Sequence, residues 1–133
     1  MTNEGEVYFA LYGDDFDPEV VTGLIGIQPT SARRKGTPIP KHTSWKVSLG
    51  KVEGDVIDVY DLSSALVAKL RPHQEQIARV KRELSLDAVL QVVLWVTTDD
   101  TKPTPAIGFE PEAIAFLSAV GASIDIDTYR NVA

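Results

Sequence analysis

The sequence predicts an α+β fold in which a mainly antiparallel sheet carries its helices on one face. Three observations lead to this prediction. Some segments alternate apolar and polar residues, as half-buried strands do. Others begin with an acidic residue, proline and glutamate and carry an apolar stripe, as short helices do. One segment is apolar on both faces, which is typical of a central strand covered by helices.

The N-terminal half is predicted to contain a strand, a helix and a second strand. Val7–Tyr12 is rich in aromatic and β-branched residues and predicts the first strand. Asp17 is suited to cap a helix because its carboxylate can accept from the free amides of the first turn, and Pro18 lacks a donor that would have no partner there. Thr43–Leu49 then alternates as a half-buried strand, and a short extended piece is expected at Val56–Tyr60. The apolar stripe predicted for the helix comprises Val20, Val21, Leu24 and Ile25.

The C-terminal half is predicted to contain a longer helical region and the central strand. The helical region starts at Asp61, and Pro72 predicts a break or kink within it because proline removes a helical hydrogen bond. Leu86–Thr98 is the central strand. The remaining predictions are a short strand at Ala106–Phe109, a helix opened by Glu110-Pro111-Glu112 that buries Ile114, Leu117 and Val120, and a last strand at Ser123–Tyr129 with Ile124 and Ile126 facing inward.

Two helix starts echo each other. Phe16-Asp17-Pro18-Glu19 and Phe109-Glu110-Pro111-Glu112 have the same order of residue types, and each helix ends in glycine. Either the chain contains a duplicated β-α-β unit, or both segments simply have the chemistry of a good helix start. A ferredoxin-like plait is the nearest named architecture for this element order. All 133 residues are expected to form one α+β domain.

Composition excludes several classes of function. The chain has no cysteine, so thiol catalysis, cysteine-based zinc sites and iron–sulfur clusters are ruled out, and we predict neither a cofactor nor a metal. The net charge of −6 disfavours nucleic acid. No apolar run approaches the roughly 20 residues of a membrane span. The acidic N-terminus shows no secretory signal, and a cytoplasmic location is expected.

The strongest candidate for a binding site is a basic loop. Residues 28–42 contain three prolines and a glycine and show no regular period, which predicts an unusually long loop. Arginine forks bind carboxylate or phosphate at two points, so a small anion or an acidic partner could dock here. Alternatively, the loop is solvated and its cations pair with the surplus acids. The candidate ligand-binding residues are Arg33, Arg34, Lys35, Lys41 and His42.

Other polar groups have structural interpretations that compete with functional ones. Asp14, Asp15 and Asp17 could bind a hard cation, but they suit a turn and a helix cap better. His73 is expected to support a helix start or the core rather than catalysis. Both tryptophans, Trp45 and Trp95, are expected in the core.

The order and spacing of several segments resemble domain-of-unknown-function family 4279, a bacterial family. The resemblance covers nearly the whole chain and implies a shared fold, but it supplies no catalytic residues because the family has no established activity. The segments are Tyr12–Pro18, Ile27–Thr30, Arg34–Gly36 leading to Trp45, Leu70–His73, and Gly108-Phe109 followed by Asp125–Asp127.

These observations predict a cytoplasmic, non-enzymatic interaction module. The 28–42 loop and the adjoining sheet edge would bind a protein partner or a small anionic ligand, and the protein would form a homodimer. One example of such a module is an immunity protein that neutralises a toxin; this example rests only on analogy with a general class of small binding proteins. The alternative is a small hydrolase or isomerase with a site made of His42, a loop arginine and Asp14 or Asp15.

Overall fold

The computed structural model describes residues 1–132 and confirms the α+β prediction. A 3₁₀ turn at Arg71–His73 joins the second and third helices, so the break expected at Pro72 is a tightened turn in a bent helical region. The strands are β1 (Asn3–Gly13), β2 (Ser31–Arg33), β3 (Thr43–Ser48), β4 (Val52–Gly54), β5 (Asp87–Thr97) and β6 (Ala122–Asn131). The helices are α1 (Pro18–Ile25), α2 (Val59–Leu70), α3 (Gln74–Glu83) and α4 (Pro111–Val120).

The strands form one sheet in the order β2-β3-β1-β5-β6, and β4 pairs with the N-terminal end of β1. All of these pairings are antiparallel except the one between β5 and β6. Leu11 lies opposite Trp45 on one side and opposite Ala88 on the other. Since successive side chains of a strand point to opposite faces, this register gives the sheet two faces of different character.

The helices cover one face of the sheet, and the hydrophobic core lies between them. Phe9 of β1 meets Phe116 of α4 edge to face, with ring centroids 5.9 Å apart. Trp45 is fully buried, and its indole N–H donates to the Thr22 hydroxyl of α1 over 3.0 Å. The core therefore joins helices and strands from both halves of the chain.

A ferredoxin-like arrangement is not confirmed. In the C-terminal unit, β5 and β6 are parallel neighbours connected through α4. In the N-terminal unit, β1 and β2 also run parallel, but β3 lies between them. The two helix starts are similar in sequence, but the strands that follow them are placed differently: β6 is adjacent to β5, whereas β2 is separated from β1 by β3.

In three segments the structure has a different element from the one that the sequence predicts. The 28–42 loop contains the short strand β2, which adds an edge to the sheet. The extended piece expected at Val56–Tyr60 is shorter: Asp58 is extended, but α2 begins at Val59 because the Asp58 carboxylate accepts from the amide of Tyr60 and caps the helix. The strand expected at Ala106–Phe109 is a single bridge between Ala106 and Asp58.

Several apolar side chains that were predicted to be buried are exposed. On α1, Val21 and Ile25 are buried, whereas Val20 and Leu24 are about half exposed. On α4, Phe116 is buried in place of Ile114. The prediction was also wrong for Ile124 and Ile126, which lie on the helix-bearing face but are 41% and 40% exposed. Their strand, β6, forms the edge of the sheet, where the helices cover it incompletely.

Candidate functional site

The basic loop and the acidic turn after β1 come together at one end of the sheet. Lys35 Nζ lies 2.9 Å from a carboxylate oxygen of Asp14, and Arg34 lies 3.4 Å from one of Asp15. All four side chains are largely exposed, and exposed pairs of this kind contribute little stability. Two of the loop cations therefore pair with surplus acids, as one of the two sequence interpretations proposed.

The loop is held against β3 by its backbone. The amide of Lys35 donates to the buried Thr43 hydroxyl over 3.0 Å, and the amide of Gly36 donates to the Pro40 carbonyl over 2.9 Å. At the start of the loop, the Thr30 hydroxyl exchanges hydrogen bonds with the backbone of Ser48. These contacts fix the loop where it extends the sheet.

The other predicted site residues have no carboxylate partner. The four ion pairs within residues 1–132 include neither Arg33 nor Lys41, and both side chains are exposed. Arg33 lies opposite Ser44. His42 lines an open depression of about 550 Å³. The other residues lining this depression are Tyr12, Lys81, Asp87, Ala88, Val89, Gly121 and Ser123.

The sheet face opposite the helices, here called the open face, is divided by charge. On β2 and β3 it carries cations and hydroxyl groups without a carboxylate: Ser31, Arg33, Ser44, Lys46 and Ser48. On β5 and β6 it carries three carboxylates, those of Asp87, Asp125 and Asp127. The cations of β2 and β3 and the aspartates of β5 and β6 thus lie on opposite sides of β1, whose Glu6 carboxylate accepts from the Ser48 hydroxyl over 2.6 Å.

Aromatic rings occupy the middle of the open face. Lys46 Nζ lies 4.9 Å from the ring centroid of Tyr8 and 5.7 Å from that of Tyr12, and Ala10 is buried between the two tyrosines. Burial, followed by the nearby Tyr12, raises the pKa of Tyr8 well above its ordinary value. Alternation along β1 already places Tyr8, Ala10 and Tyr12 on the same face, but no motif in the sequence marks them as a group.

At the other end of the open face, Trp95 is half-buried rather than in the core. Its ring stacks on Tyr129 at 6.1 Å, and Lys51 Nζ lies 4.0 Å from its centroid. Lys51 also pairs with Glu4 at 2.9 Å. The core prediction is therefore confirmed for Trp45 and wrong for Trp95.

The remaining polar candidates have structural roles. Asp17 caps α1 by accepting from the amide of Glu19 over 3.0 Å. His73 Nδ1 lies 2.9 Å from the Ile25 carbonyl oxygen, which ties the start of α3 to the end of α1. Asp127 accepts from the Gln91 amide at 3.2 Å. Among residues 1–132, no three His, Asp or Glu side chains converge as ligands for a metal ion.

The residues of the alternative hydrolytic site are only partly brought together. His42 faces the depression, where the neighbouring carboxylate is that of Asp87. Asp14 and Asp15 are paired with Lys35 and Arg34 and do not line that depression. The alternative enzyme stays a prediction, without the geometry expected for it.

The pairing of Asp14 with Lys35 gives a prediction for NMR titration. The hydrogen bond and charge of Lys35 hold the pKa of Asp14 below its usual value, so this pair stabilises the fold at higher pH and the contribution is lost as pH falls through the lowered pKa. In Lys35→Met, we expect the pKa of Asp14 to rise toward its ordinary value. An unchanged titration curve for the Asp14 carboxyl would contradict the pairing in solution.

The geometry defines a small α+β protein whose open sheet face is divided into a basic and an acidic half. The chain matches the family model described as "Domain of unknown function (DUF4279)" over residues 3–131 and belongs to that family. Searches of curated proteins and of solved structures find no match. Within residues 1–132, none of the helices has the length and apolar character needed to cross a membrane.

Proposed function

We propose that this protein is a binding module that docks an acidic segment of a protein partner on the basic half of its open face. This surface consists of the open-face side chains of β2 and β3 together with Lys41 and His42 of the loop. The observation that carries the proposal is the separation of charge: β2 and β3 present Arg33 and Lys46 on the open face and carry no carboxylate there themselves. The carboxylate of Glu6 on the adjacent strand β1 is held by the Ser48 hydroxyl.

The spacing of the cations favours an extended partner over a small anion. Arg33 and Lys46 lie on neighbouring strands, and Lys41 lies on the exposed loop beyond them. Small-molecule sites usually enclose most of their ligand. These cations are instead spread over an open surface, where an acidic segment could contact each in turn.

The tyrosines next to the cations supply the apolar part of such an interface. Tyr8 and Tyr12 are half-buried, so their rings are already ordered, and Lys46 lies over both. Ordered aromatic residues give large contact area at low cost in conformational entropy and are frequent in binding hot spots. The acidic half of the open face would repel the same partner and thereby fix its orientation.

The proposal retains the cytoplasmic location expected from the sequence. One example of such a module is a protein that neutralises a toxin by covering part of its surface; this example rests on analogy with a general class of binding proteins.

Charge reversal at two unpaired cations tests the proposal. In Arg33→Glu/Lys41→Glu, we expect at least about a tenfold loss of affinity for a fluorescent synthetic peptide that alternates glutamate and phenylalanine, measured by anisotropy at low salt. The melting temperature should change little, because neither side chain is in an ion pair. The matched control is Arg79→Glu/Arg82→Glu on the exposed surface of α3, which should bind as the unchanged protein does.

Two results would overturn the proposal. One is equal loss in the control, which would mean that only net charge matters. The other is undetectable binding of the peptide to the unchanged protein while citrate or inorganic phosphate binds and depends on Arg33 and Lys41, which would identify a small-anion site instead.

A further inference from the structure

We infer that β6 is the dimer interface and that a second copy of this chain pairs with it in antiparallel fashion, extending the sheet across two protomers. This surface lies at the opposite edge of the sheet from β2, so the inference is independent of the proposed partner site.

The two sheet edges differ greatly. At one end, β2 has three residues, which is short enough to limit unwanted pairing. At the other end, β6 has ten residues and lacks proline, and eight of its residues are exposed. Only β5 pairs with it within residues 1–132. A long edge strand presents a row of free backbone donors and acceptors that another strand can satisfy.

Exposed apolar side chains accompany this edge. Ile124 and Ile126 are 41% and 40% exposed on the helix-bearing face, and Tyr129 is 53% exposed on the open face. Pairing with a second β6 would remove part of this apolar surface from water.

Charge along β6 selects the register. In a two-fold antiparallel pair, the residue at the centre lies opposite its own copy. If the centre is residue 125 or 127, that aspartate lies opposite the same aspartate of the second copy. If the centre is residue 126, Asp125 lies opposite Asp127 of the second copy. Like charges directly opposite each other are destabilising. Among the centres that place no aspartate directly opposite another, Thr128 gives the longest overlap within the strand, residues 125–131.

This register places compatible side chains opposite each other. Thr128 meets the partner's Thr128, a cross-strand pair that can share a hydrogen bond. Asp127 lies opposite a tyrosine, Asp125 opposite an asparagine, and Ile126 opposite the aliphatic stem of an arginine. This register thus places no like charges directly opposite each other and leaves each aspartate facing a polar side chain.

Single introduced cysteines test the register. The chain contains no cysteine of its own, so any disulfide that forms must involve the introduced residue. In Thr128→Cys, the two Cβ atoms would lie about 4.5–5.5 Å apart, close enough for a disulfide after small adjustment. The matched controls are Ile124→Cys and Ile126→Cys, which lie on the same face of the same strand. In the 126 variant, the two cysteines would be offset by about 13 Å along the strands, beyond the reach of a disulfide.

We expect oxidised Thr128→Cys to form a covalent dimer at least about ten times faster than either control variant. The unchanged protein should show concentration-dependent dimerisation in sedimentation velocity over about a hundredfold range of concentration. Tyr129→Asp, which puts a carboxylate opposite Asp127, should weaken this dimer, and Tyr129→Lys should strengthen it. A monomer throughout the range, equal cross-linking at all three positions, or preferential cross-linking at 124 or 126 would overturn the inference.

Discussion

Replacing Trp45 with alanine is expected to lower the free energy of unfolding by about 3–5 kcal/mol. The indole is fully buried between Leu11 of β1 and Ala32 of β2, and it packs under α1. Its removal leaves a cavity and deprives the Thr22 hydroxyl of its donor. Urea denaturation followed by far-UV circular dichroism measures the loss of stability. Circular dichroism is preferred to tryptophan fluorescence because the substitution removes one of the two tryptophans.

The same substitution at Trp95 provides the matched control. That ring is half-buried on the open face, where it contacts Lys51 and Tyr129 rather than the core. Since much of its surface is already in water, Trp95→Ala should cost about 1–2 kcal/mol. Equal losses at the two positions would contradict the assignment of Trp45 to the core and Trp95 to the open face.

Local chemistry made several elements predictable from the sequence. The start of α1 follows from Asp17 and Pro18 alone, because capping and the missing proline donor act within one turn. The kink at Pro72 has an equally local cause. The alternation of Thr43–Leu49 correctly places Trp45 and Val47 in the core, whereas Leu49, predicted on the same face, lies beyond the end of β3 and is 52% exposed. Each of these features depends on residues that are close together in the chain.

Features that depend on distant residues were not predictable in the same way. Ile124 and Ile126 are partly exposed because the helices do not fully cover the sheet edge. The sequence of β6 alone does not show how far the helices reach. The distribution of charge on the open face can be predicted only when the order of the strands is known. That order places Arg33 and Lys46 on neighbouring strands and Asp125 at the opposite edge of the sheet. The candidate loop was found from composition, but its pairing with the turn after β1 required the fold.

Replacing Asn3 with alanine is expected to lower the free energy of unfolding by about 2–4 kcal/mol, a large effect for a polar residue. Asn3 is fully buried, and no feature of the sequence distinguished it. Its amide group donates to the carbonyls of Asp55 and Pro103 over 3.1 and 2.9 Å, and its carbonyl oxygen accepts from the amide of Thr97 over 2.8 Å. Alanine would leave all three backbone groups without their partner, and a buried group without a partner costs about 1–3 kcal/mol.

A second asparagine separates this role from a general effect of losing a side-chain amide. Asn131 donates once, to the Thr2 carbonyl over 2.9 Å, so Asn131→Ala should cost about 0.5–1.5 kcal/mol. Amide hydrogen exchange adds a local test, because the amide of Thr97 loses its acceptor only in Asn3→Ala. Faster exchange at Thr97 in that variant is expected even where global unfolding is suppressed. Unchanged protection of Thr97, together with equal losses of stability in both variants, would contradict the role of Asn3 in joining these three segments.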